Sequence, residues 1–277
     1  MTQSTSSPST SNTSNNPLQF VYGPVDSWRY GRSLGIDPIG SVSTCSFDCV
    51  YCQLGEIENH TSQREIYVPT IRILQDLQAF DTDSVDVITL SGSGEPTLAA
   101  NLADILRGIK ENTGKPTVVL TNGSLLYDEQ VRTELAIADQ VAIKLDATST
   151  EQLRRINRPV NDLDWSTIYH GIRQFRQNYR GQFSIQTMML SPGQPETKAA
   201  YMRCLQELQP DEVQLNTPRR PKPTHHVLDT RGNHSPASSR PYEVKVLKCL
   251  QPEVLQEFAR QIQQQTGILV RYSHSHS

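Results

Sequence analysis

Three cysteines lie within eight residues of one another in the first fifth of this chain. They are Cys45, Cys49 and Cys52, in the spacing Cys-x3-Cys-x2-Cys, and Tyr51 directly precedes the last of them. Three thiolates on one loop can bind three irons of a [4Fe-4S] cluster, which leaves the fourth iron without a protein ligand. An iron that is open to an exogenous molecule indicates chemistry rather than electron storage.

A structural zinc site is the alternative use of the three cysteines. His60 is a candidate fourth ligand, because three cysteines and one histidine bind zinc tetrahedrally. A zinc knuckle, however, ordinarily supports a small domain that cannot build its own core. This chain has 277 residues, of which 36% are hydrophobic, and can bury a large core. The length therefore favours the cluster over zinc.

The composition predicts a globular protein of the cytoplasm. No apolar run approaches the roughly 20 residues that a membrane helix needs, and residues 1–17 are mostly Ser, Thr and Asn, which predicts a disordered tail and no secretory signal. Five cysteines, three of them clustered, do not form an extracellular disulfide pattern, and cluster ligands must stay reduced. Cys204 and Cys249 are interpreted as buried small hydrophobic residues.

The net charge of -3 gives no overall attraction for nucleic acid, so such a partner would have to bind local basic groups. The sequence contains three such groups: Arg29 with Arg32; Arg154, Arg155 and Arg158; and Arg219, Arg220 and Lys222. Groups of this kind are more often solvated surface than phosphate sites.

After the cysteine loop, short β-branched runs alternate with amphipathic stretches, which is the pattern of consecutive βα units and a parallel sheet. The predicted strands are 36–43, 85–91, 116–121, 140–145, 183–189 and 212–216. Helical spacing of apolar residues predicts crossover helices, one over 98–109 that ends before Gly114 and one that buries Ile71, Leu74 and Leu77. A final helix over 252–266 and a short strand over 268–272 complete the prediction.

Polar residues stand where the predicted strands end, which is where a barrel of parallel strands carries its chemistry. They are Gly94 and Glu95 after the second strand, Asn122 after the third, Lys144 and Asp146 at the fourth and Gln186 on the fifth. Each has a structural alternative. Glu95 could belong to a turn that caps the next helix, Asp146 could be a helix N-cap, and Lys144 could extend outward between helices.

The cysteine loop with Tyr51, followed one βα unit later by Gly94-Glu95, resembles the radical S-adenosylmethionine (radical SAM) superfamily. The resemblance implies an α/β fold with a partial (β/α)6 TIM-type barrel over residues 18–216. A disordered tail at 1–17, a loop or lid at 217–242 and a C-terminal α/β extension at 243–277 complete the expected organisation.

The resemblance also implies the cofactors. Cys45, Cys49 and Cys52 are expected to ligate a [4Fe-4S] cluster whose open iron chelates S-adenosylmethionine (SAM). The residues expected to contact SAM are Tyr51, Gly94, Glu95, Asn122, Lys144, Asp146 and Gln186. The reduced cluster of such enzymes splits SAM into methionine and a 5′-deoxyadenosyl radical, an oxidoreductase-type reaction. It would require an electron donor such as flavodoxin or ferredoxin.

Tyr22-Gly-Pro-Val, Gly31-Arg-Ser-Leu-Gly35 and Gly94-Glu-Pro-Thr-Leu98 resemble radical SAM proteins that group near the tRNA wyosine-synthesis enzymes. Those tRNA enzymes carry a second cluster on additional N-terminal cysteines, whereas no cysteine precedes Cys45 here. Three hypotheses follow. The chain is a single-cluster radical SAM enzyme of unknown substrate, for which a nucleotide in RNA is one candidate. Alternatively, it is a radical-generating or peptide-modifying enzyme that acts on a protein, or a zinc or cluster binding module without turnover.

Overall fold

The computed structural model describes residues 20–227, 230–231 and 242–273. Its strands are β1 (Val21–Ser27), β2 (Gly31–Ile36), β3 (Thr44–Cys45), β4 (Asn59–His60), β5 (Val87–Leu90), β6 (Thr117–Thr121), β7 (Gln140–Lys144), β8 (Gln182–Met188), β9 (Glu212–Asn216), β10 (Lys222–Pro223), β11 (Val244–Lys245) and β12 (Leu269–Tyr272). Its α-helices are α1 (Thr70–Leu77), α2 (Leu102–Thr113), α3 (Glu129–Leu135), α4 (Thr150–Ile156), α5 (Trp165–Asn178), α6 (Pro195–Leu208) and α7 (Pro252–Thr266). The tail predicted at 1–17 lies outside the described residues.

One curled sheet organises the described part of the chain. Its strand order is β1-β2-β5-β6-β7-β8-β9-β12. β1 and β2 form an antiparallel hairpin, and each later neighbour in this order is parallel. The six parallel strands from β2 to β9 and their crossover helices form a half-barrel. The predicted partial (β/α)6 barrel is therefore confirmed.

Most predicted elements are present, but the predicted range of the first strand is wrong. The strand predicted over 36–43 is β2, Gly31–Ile36, and it is preceded by β1, which the sequence did not indicate. Asp37 ends β2, because its buried carboxylate accepts the backbone N–H groups of Ile39 and Gly40, each at 3.0 Å. Gly40 has a φ of +92°, which closes the turn.

The helix predictions hold with two corrections. α2 begins at Leu102 rather than at 98 and ends, as predicted, at Gly114, whose φ is +62°. α1 buries Ile73 and Leu77, whereas Ile71 is 61% exposed, so the predicted apolar face of this helix is rotated. The predicted final helix and strand are α7 and β12.

The two faces of the sheet differ in polarity. The face that packs on the helices is apolar and fully buried, with Phe183 of β8 tilted against Phe175 of α5 at a centroid distance of 6.4 Å. On the opposite face, the side-chain amide of Gln186 donates to that of Gln214 at 2.8 Å, and Arg271 pairs with Glu212 at 2.7 Å. The inner face of the half-barrel therefore carries polar side chains that bond one another.

The C-terminal elements belong to the same sheet. β12 pairs in parallel with β9, and α7 packs on α6 through the rings of Phe258 and Tyr201, whose centroids are 5.7 Å apart. Over the described residues, every helix is too short or too polar to cross a bilayer.

Candidate functional site

The cysteine loop leaves β3 and is anchored on one side by the segment after β5. Thr44 donates its backbone N–H to Ser93 O at 3.0 Å, and Glu95 donates its N–H to Thr44 O at 3.1 Å. Gly94 lies between these bonds, where an added Cβ would sit 1.7 Å from Thr44 O. The predicted cofactor contact Gly94 thus has a packing role of its own, since only glycine permits this approach of two backbones.

A second backbone ladder holds the other side of the loop. Residues 46–50 pair antiparallel with residues 156–160, which begin at the last residue of α4. The bonds run from Val160 N to Ser46 O at 3.0 Å, from Asp48 N to Arg158 O at 3.1 Å and from Val50 N to Ile156 O at 2.9 Å. Arg158 has a φ of 48°, a conformation that costs free energy for a residue with a side chain and that the ladder stabilises.

All three clustered cysteines are free thiols, and polar groups contact two of them closely. Asn157 Nδ2 lies 3.4 Å from Cys49 Sγ, and Asn122 Nδ2 lies 3.6 Å from Cys45 Sγ. Burial raises the pKa of the Cys49 thiol to about 12 and that of Cys45 well above its ordinary value. A thiolate at either position therefore needs a strong positive partner, which a bound metal centre supplies.

The donor set fits an iron–sulfur cluster. The loop offers three unpaired sulfurs together with N–H donors that can stabilise thiolate charge. Within the described ranges, no three His, Cys, Asp or Glu side chains converge on a single ion. A cluster binds each thiolate through a different iron. His60, the candidate zinc ligand, has its Nε2 3.2 Å from the carbonyl oxygen of Ser46.

Asp146 is the centre of the second part of the site. Its side chain is fully buried, and it accepts from Tyr51 OH, from Met188 N at 2.7 Å and from Asn157 Nδ2 at 2.9 Å. Lys144 Nζ lies 3.0 Å from its Oδ1. Burial, followed by the Asp146 charge, raises the pKa of Tyr51 well above its ordinary value. Tyr51, Lys144 and Asp146, predicted separately, are thus in contact.

The alternatives proposed for these residues can now be decided. The N-cap of α4 is Ser149, whose hydroxyl accepts from Gln152 N at 3.2 Å, so Asp146 does not cap that helix. Lys144 is 22% exposed and pairs with Asp146 instead of extending outward between helices.

Glu95 is fully buried and holds the end of β6. Its Oε1 accepts from Thr97 and from Thr121 Oγ1 at 2.6 Å, and its Oε2 accepts from Asn122 N at 2.7 Å. It is also the N-cap of the short 3-10 turn Pro96–Leu98, whereas the N-cap of α2, the next helix, is Asn101. Burial raises the pKa of this carboxyl group. Asn122, positioned in this way, donates to Ser46 Oγ at 3.0 Å, beside Cys45.

Gln186 lies apart from this group. It is paired in register with Lys144, but its amide donates to Gln214 and to Tyr30 OH on the inner face of the half-barrel. Cys204 is buried, as predicted, whereas Cys249 is exposed, contrary to the prediction. Cys249 follows an irregular segment and donates to Pro218 O at 3.3 Å, so no helix or strand packs it into the core.

The segment predicted as a loop or lid contacts the site. Its described parts reach the cysteine loop through Lys222 Nζ, 3.2 Å from Cys49 O, and through Val227 N, which donates to Leu54 O at 3.1 Å. Arg231 pairs with the buried Asp37 carboxylate at 2.7 Å. Residues from 222 to 231 that the structure describes therefore pack against the mouth of the half-barrel.

Sequence reasoning missed Asn157 and Asp37. Asn157 is 2% exposed and contacts both Cys49 and Asp146, yet in the sequence it only follows an ordinary helical stretch. The one available signal was Asn157-Arg-Pro159, because a proline two residues later ends the helix and leaves the asparagine in a constrained turn. Asp37 was hidden inside the mispredicted first strand.

Comparison with known proteins agrees with this geometry. The family model for the radical SAM superfamily matches residues 40–203, which include the three clustered cysteines. The chain belongs to the radical SAM superfamily, whose members use a [4Fe-4S] cluster and SAM. It is 53% identical over 259 residues to UPF0026 protein slr1464 of Synechocystis, covering 93% of this chain and 97% of the relative.

Further similarities are more distant. UPF0026 protein MJ1312 of Methanocaldococcus jannaschii is 35% identical over 216 residues, which cover 76% of this chain and 67% of that protein. The structure of Streptococcus suis SuiB bound to S-adenosylmethionine matches with a TM-score of 0.58 and 13% identity, covering 84% of this chain and 49% of SuiB. At this identity the likeness shows the fold alone, and this chain spans about half of SuiB.

The anchoring of the loop at Gly94 can be tested by one substitution. In Gly94→Ala the added Cβ would overlap Thr44 O, so we expect a loss of about 1–3 kcal/mol in unfolding free energy and fewer irons per chain after anaerobic reconstitution. Urea unfolding and iron analysis measure the two effects.

The matched control for this substitution is Gly114→Asn. An added Cβ at Gly114 meets nothing within 4 Å, and asparagine tolerates the left-handed conformation found there. We expect wild-type iron content in the control. Equal iron content in Gly94→Ala and Gly114→Asn would contradict the anchoring role of Gly94.

Proposed function

We propose that this chain cleaves SAM reductively at a [4Fe-4S] cluster held by Cys45, Cys49 and Cys52. One observation supports this proposal above all. The three free thiols lie on a loop that backbone hydrogen bonds connect to residues 93–95 on one side and to residues 156–160 on the other. When bound and reduced, the cluster supplies the electron that splits SAM into methionine and a 5′-deoxyadenosyl radical.

The protein's own residues bind and orient SAM beside the loop. The buried Asp146 carboxylate holds Lys144 at the end of β7, and the partly exposed ammonium group of Lys144 suits the carboxylate of the cofactor. The ring of Tyr51, half-buried next to Cys52, offers a flat surface to the adenine. Asn122 and Glu95 hold the end of β6 in place, and Gln186 faces the inner surface of the half-barrel, toward the substrate.

The first test compares two cysteine variants in the production of 5′-deoxyadenosine. Cys49→Ser removes one cluster thiolate. After anaerobic reconstitution, dithionite reduction and addition of SAM, we expect at least a hundredfold less 5′-deoxyadenosine than from wild type. This factor corresponds to an increase on the order of 2.7 kcal/mol in the activation free energy. Chromatographic quantitation of 5′-deoxyadenosine gives the result.

Cys249→Ser is the matched control, because Cys249 is exposed and follows the lid segment rather than the cysteine loop. It should behave as wild type. Equal 5′-deoxyadenosine from Cys49→Ser and wild type would exclude Cys49 as a ligand. Stoichiometric zinc in place of iron and sulfide would instead support the binding module without turnover.

The proposed reaction is of the oxidoreductase type, and it depends on a one-electron donor such as flavodoxin or ferredoxin.

The proposed substrate is a nucleotide within RNA. Two basic groups that are far apart in sequence support this choice, because Arg158 and Lys222 both contact Asp48, each at 3.3 Å, at the edge of the cysteine loop. Arg220 lies beside them and donates to Gln53 at 2.8 Å.

The balance of charge at this edge favours a polyanion. One carboxylate, Asp48, contacts two cations, Arg158 and Lys222, which places positive charge at the edge of the cysteine loop although the whole chain carries -3. Phosphate groups attracted to this edge would bring a nucleotide to the mouth of the half-barrel. A peptide is the second candidate substrate, because SuiB, which has a similar fold, has been solved bound to the precursor peptide SuiA.

Salt dependence of RNA binding tests the RNA proposal. In the double variant Arg158→Gln/Lys222→Gln, two phosphate contacts are lost, so the slope of log affinity against log salt should fall by roughly 1.4–1.8. Fluorescence anisotropy with labelled tRNA measures this slope. The matched control, Arg107→Gln/Arg203→Gln, removes two exposed arginines of α2 and α6 and should keep the wild-type slope. Equal slopes in both variants, or co-purification of a polypeptide without RNA, would contradict an RNA substrate.

A further inference from the structure

Asn157 lies between the two halves of the site. Its Nδ2 is 2.9 Å from Asp146 Oδ2, 3.4 Å from Cys49 Sγ and 3.4 Å from Tyr51 OH. With 2% exposure, the amide has no access to competing water. One side-chain nitrogen thus contacts a cysteine of the loop, the central carboxylate and the tyrosine that precedes Cys52.

The backbone fixes this position. Both neighbours of Asn157 take part in the ladder with the cysteine loop, since Ile156 O accepts from Val50 N and Arg158 O accepts from Asp48 N. Asn157 also donates its own N–H to Leu153 O at 2.8 Å, at the end of α4. The amide therefore faces Cys49 because the chain on either side of it is bonded to the residues on either side of Cys49.

The two hydrogens on Nδ2 must be shared among three acceptors. The shortest contact takes one hydrogen to the Asp146 carboxylate. For the second, the sulfur of Cys49 is the stronger acceptor when it binds iron, because it then carries negative charge and the hydrogen bond is charge-assisted. The Tyr51 oxygen competes poorly, since it is neutral and donates its own hydrogen to Asp146.

We propose that Asn157 is a positioning residue which donates an N–H···S hydrogen bond to Cys49 and thereby raises the reduction potential of the cluster. Reduction adds negative charge to the iron and sulfur atoms, and the positive end of an N–H dipole stabilises that charge. The same amide separates the Asp146 carboxylate from Cys49, which limits the repulsion between two anionic groups. This inference rests on the proposed ligation of a cluster by the three cysteines.

The expected effects follow a defined order. Asn157→Leu keeps the branching of the side chain but removes both donors. The one-electron reduction equilibrium should then become about tenfold less favourable, which moves the potential about 59 mV more negative. Asn157→Asp keeps the shape of the side chain, but its carboxyl group would share one proton with the buried Asp146 carboxylate 2.9 Å away, which leaves no hydrogen for Cys49 and should lower the potential at least as far. A purely structural role predicts instead that Asn157→Asp, which fits the same space, keeps the wild-type potential.

The experiment is an anaerobic redox titration of the reconstituted protein without SAM, followed by EPR. Asn101→Leu is the matched control, since Asn101 is also buried but its amide donates to Val68 O at 3.0 Å and to Thr70 Oγ1 at 2.9 Å rather than to a cysteine. It should leave the potential unchanged. An Asn157→Leu potential equal to that of wild type, with full iron and sulfide in both, would overturn the inference while leaving the proposed ligation intact.

A measurement that leaves Asn157 unaltered covers the case in which its variants lose the cluster. Asn122 Nδ2 also lies 3.6 Å from Cys45 Sγ, so the measurement is made on Asn122→Leu protein labelled with ¹⁵N-asparagine. Pulsed EPR should then detect nitrogen coupled to the reduced cluster through the N–H···S contact of Asn157. Absence of any asparagine ¹⁵N coupling would overturn the inference. Absence of a cluster in wild type, seen by iron and sulfide analysis, would overturn the proposed function itself.

Discussion

The site depends on the backbone hydrogen bonds that clamp the cysteine loop from both sides. The loop of eight residues carries three partly buried thiols, and Phe47 packs it on the hydrophobic core. The bonds from Thr44 to residues 93–95 and from residues 46–50 to residues 156–160 fix its backbone on either side. Because these two segments follow β5 and β7, the sheet itself determines where the sulfurs lie.

This clamp explains why residues with unusual backbone requirements lie next to the cysteines. Gly94 permits an approach of two backbones that any Cβ would block, and Arg158 adopts a left-handed conformation that is costly for its type. Both positions face the loop. Strain and close approach are retained where the surrounding hydrogen bonds determine the geometry, which is the usual situation at a functional site.

Much of the fold could be predicted from the sequence, because buried parallel strands and amphipathic helices leave strong periodic patterns. The strands from β5 to β9 were predicted in this way, whereas β2 was misplaced. The turn at Asp37 depends on a side chain that bonds the backbone two and three residues later, which apolar periodicity does not reveal. β1 was missed because it is a half-exposed strand that contains Gly23 and Pro24.

The candidate site divides in the same way. The three cysteines were evident because their spacing is local, and Tyr51, Lys144 and Asp146 were named singly although they form one contact network. Asn157 could not be found, because its importance comes from contacts over 108 residues to Cys49 and 106 residues to Tyr51. The convergence of Arg158 and Lys222 on Asp48 is equally a product of the fold.

If the three cysteines hold a cluster with one iron open to SAM, the cofactor should change the electronic structure of that cluster. EPR of the anaerobically reconstituted and reduced protein, recorded before and after addition of SAM, measures this change. We expect an iron–sulfur signal whose g-values change when SAM is added, because the cofactor becomes a ligand of the open iron. A fully loaded cluster with an identical spectrum at saturating SAM would show that SAM does not bind the cluster.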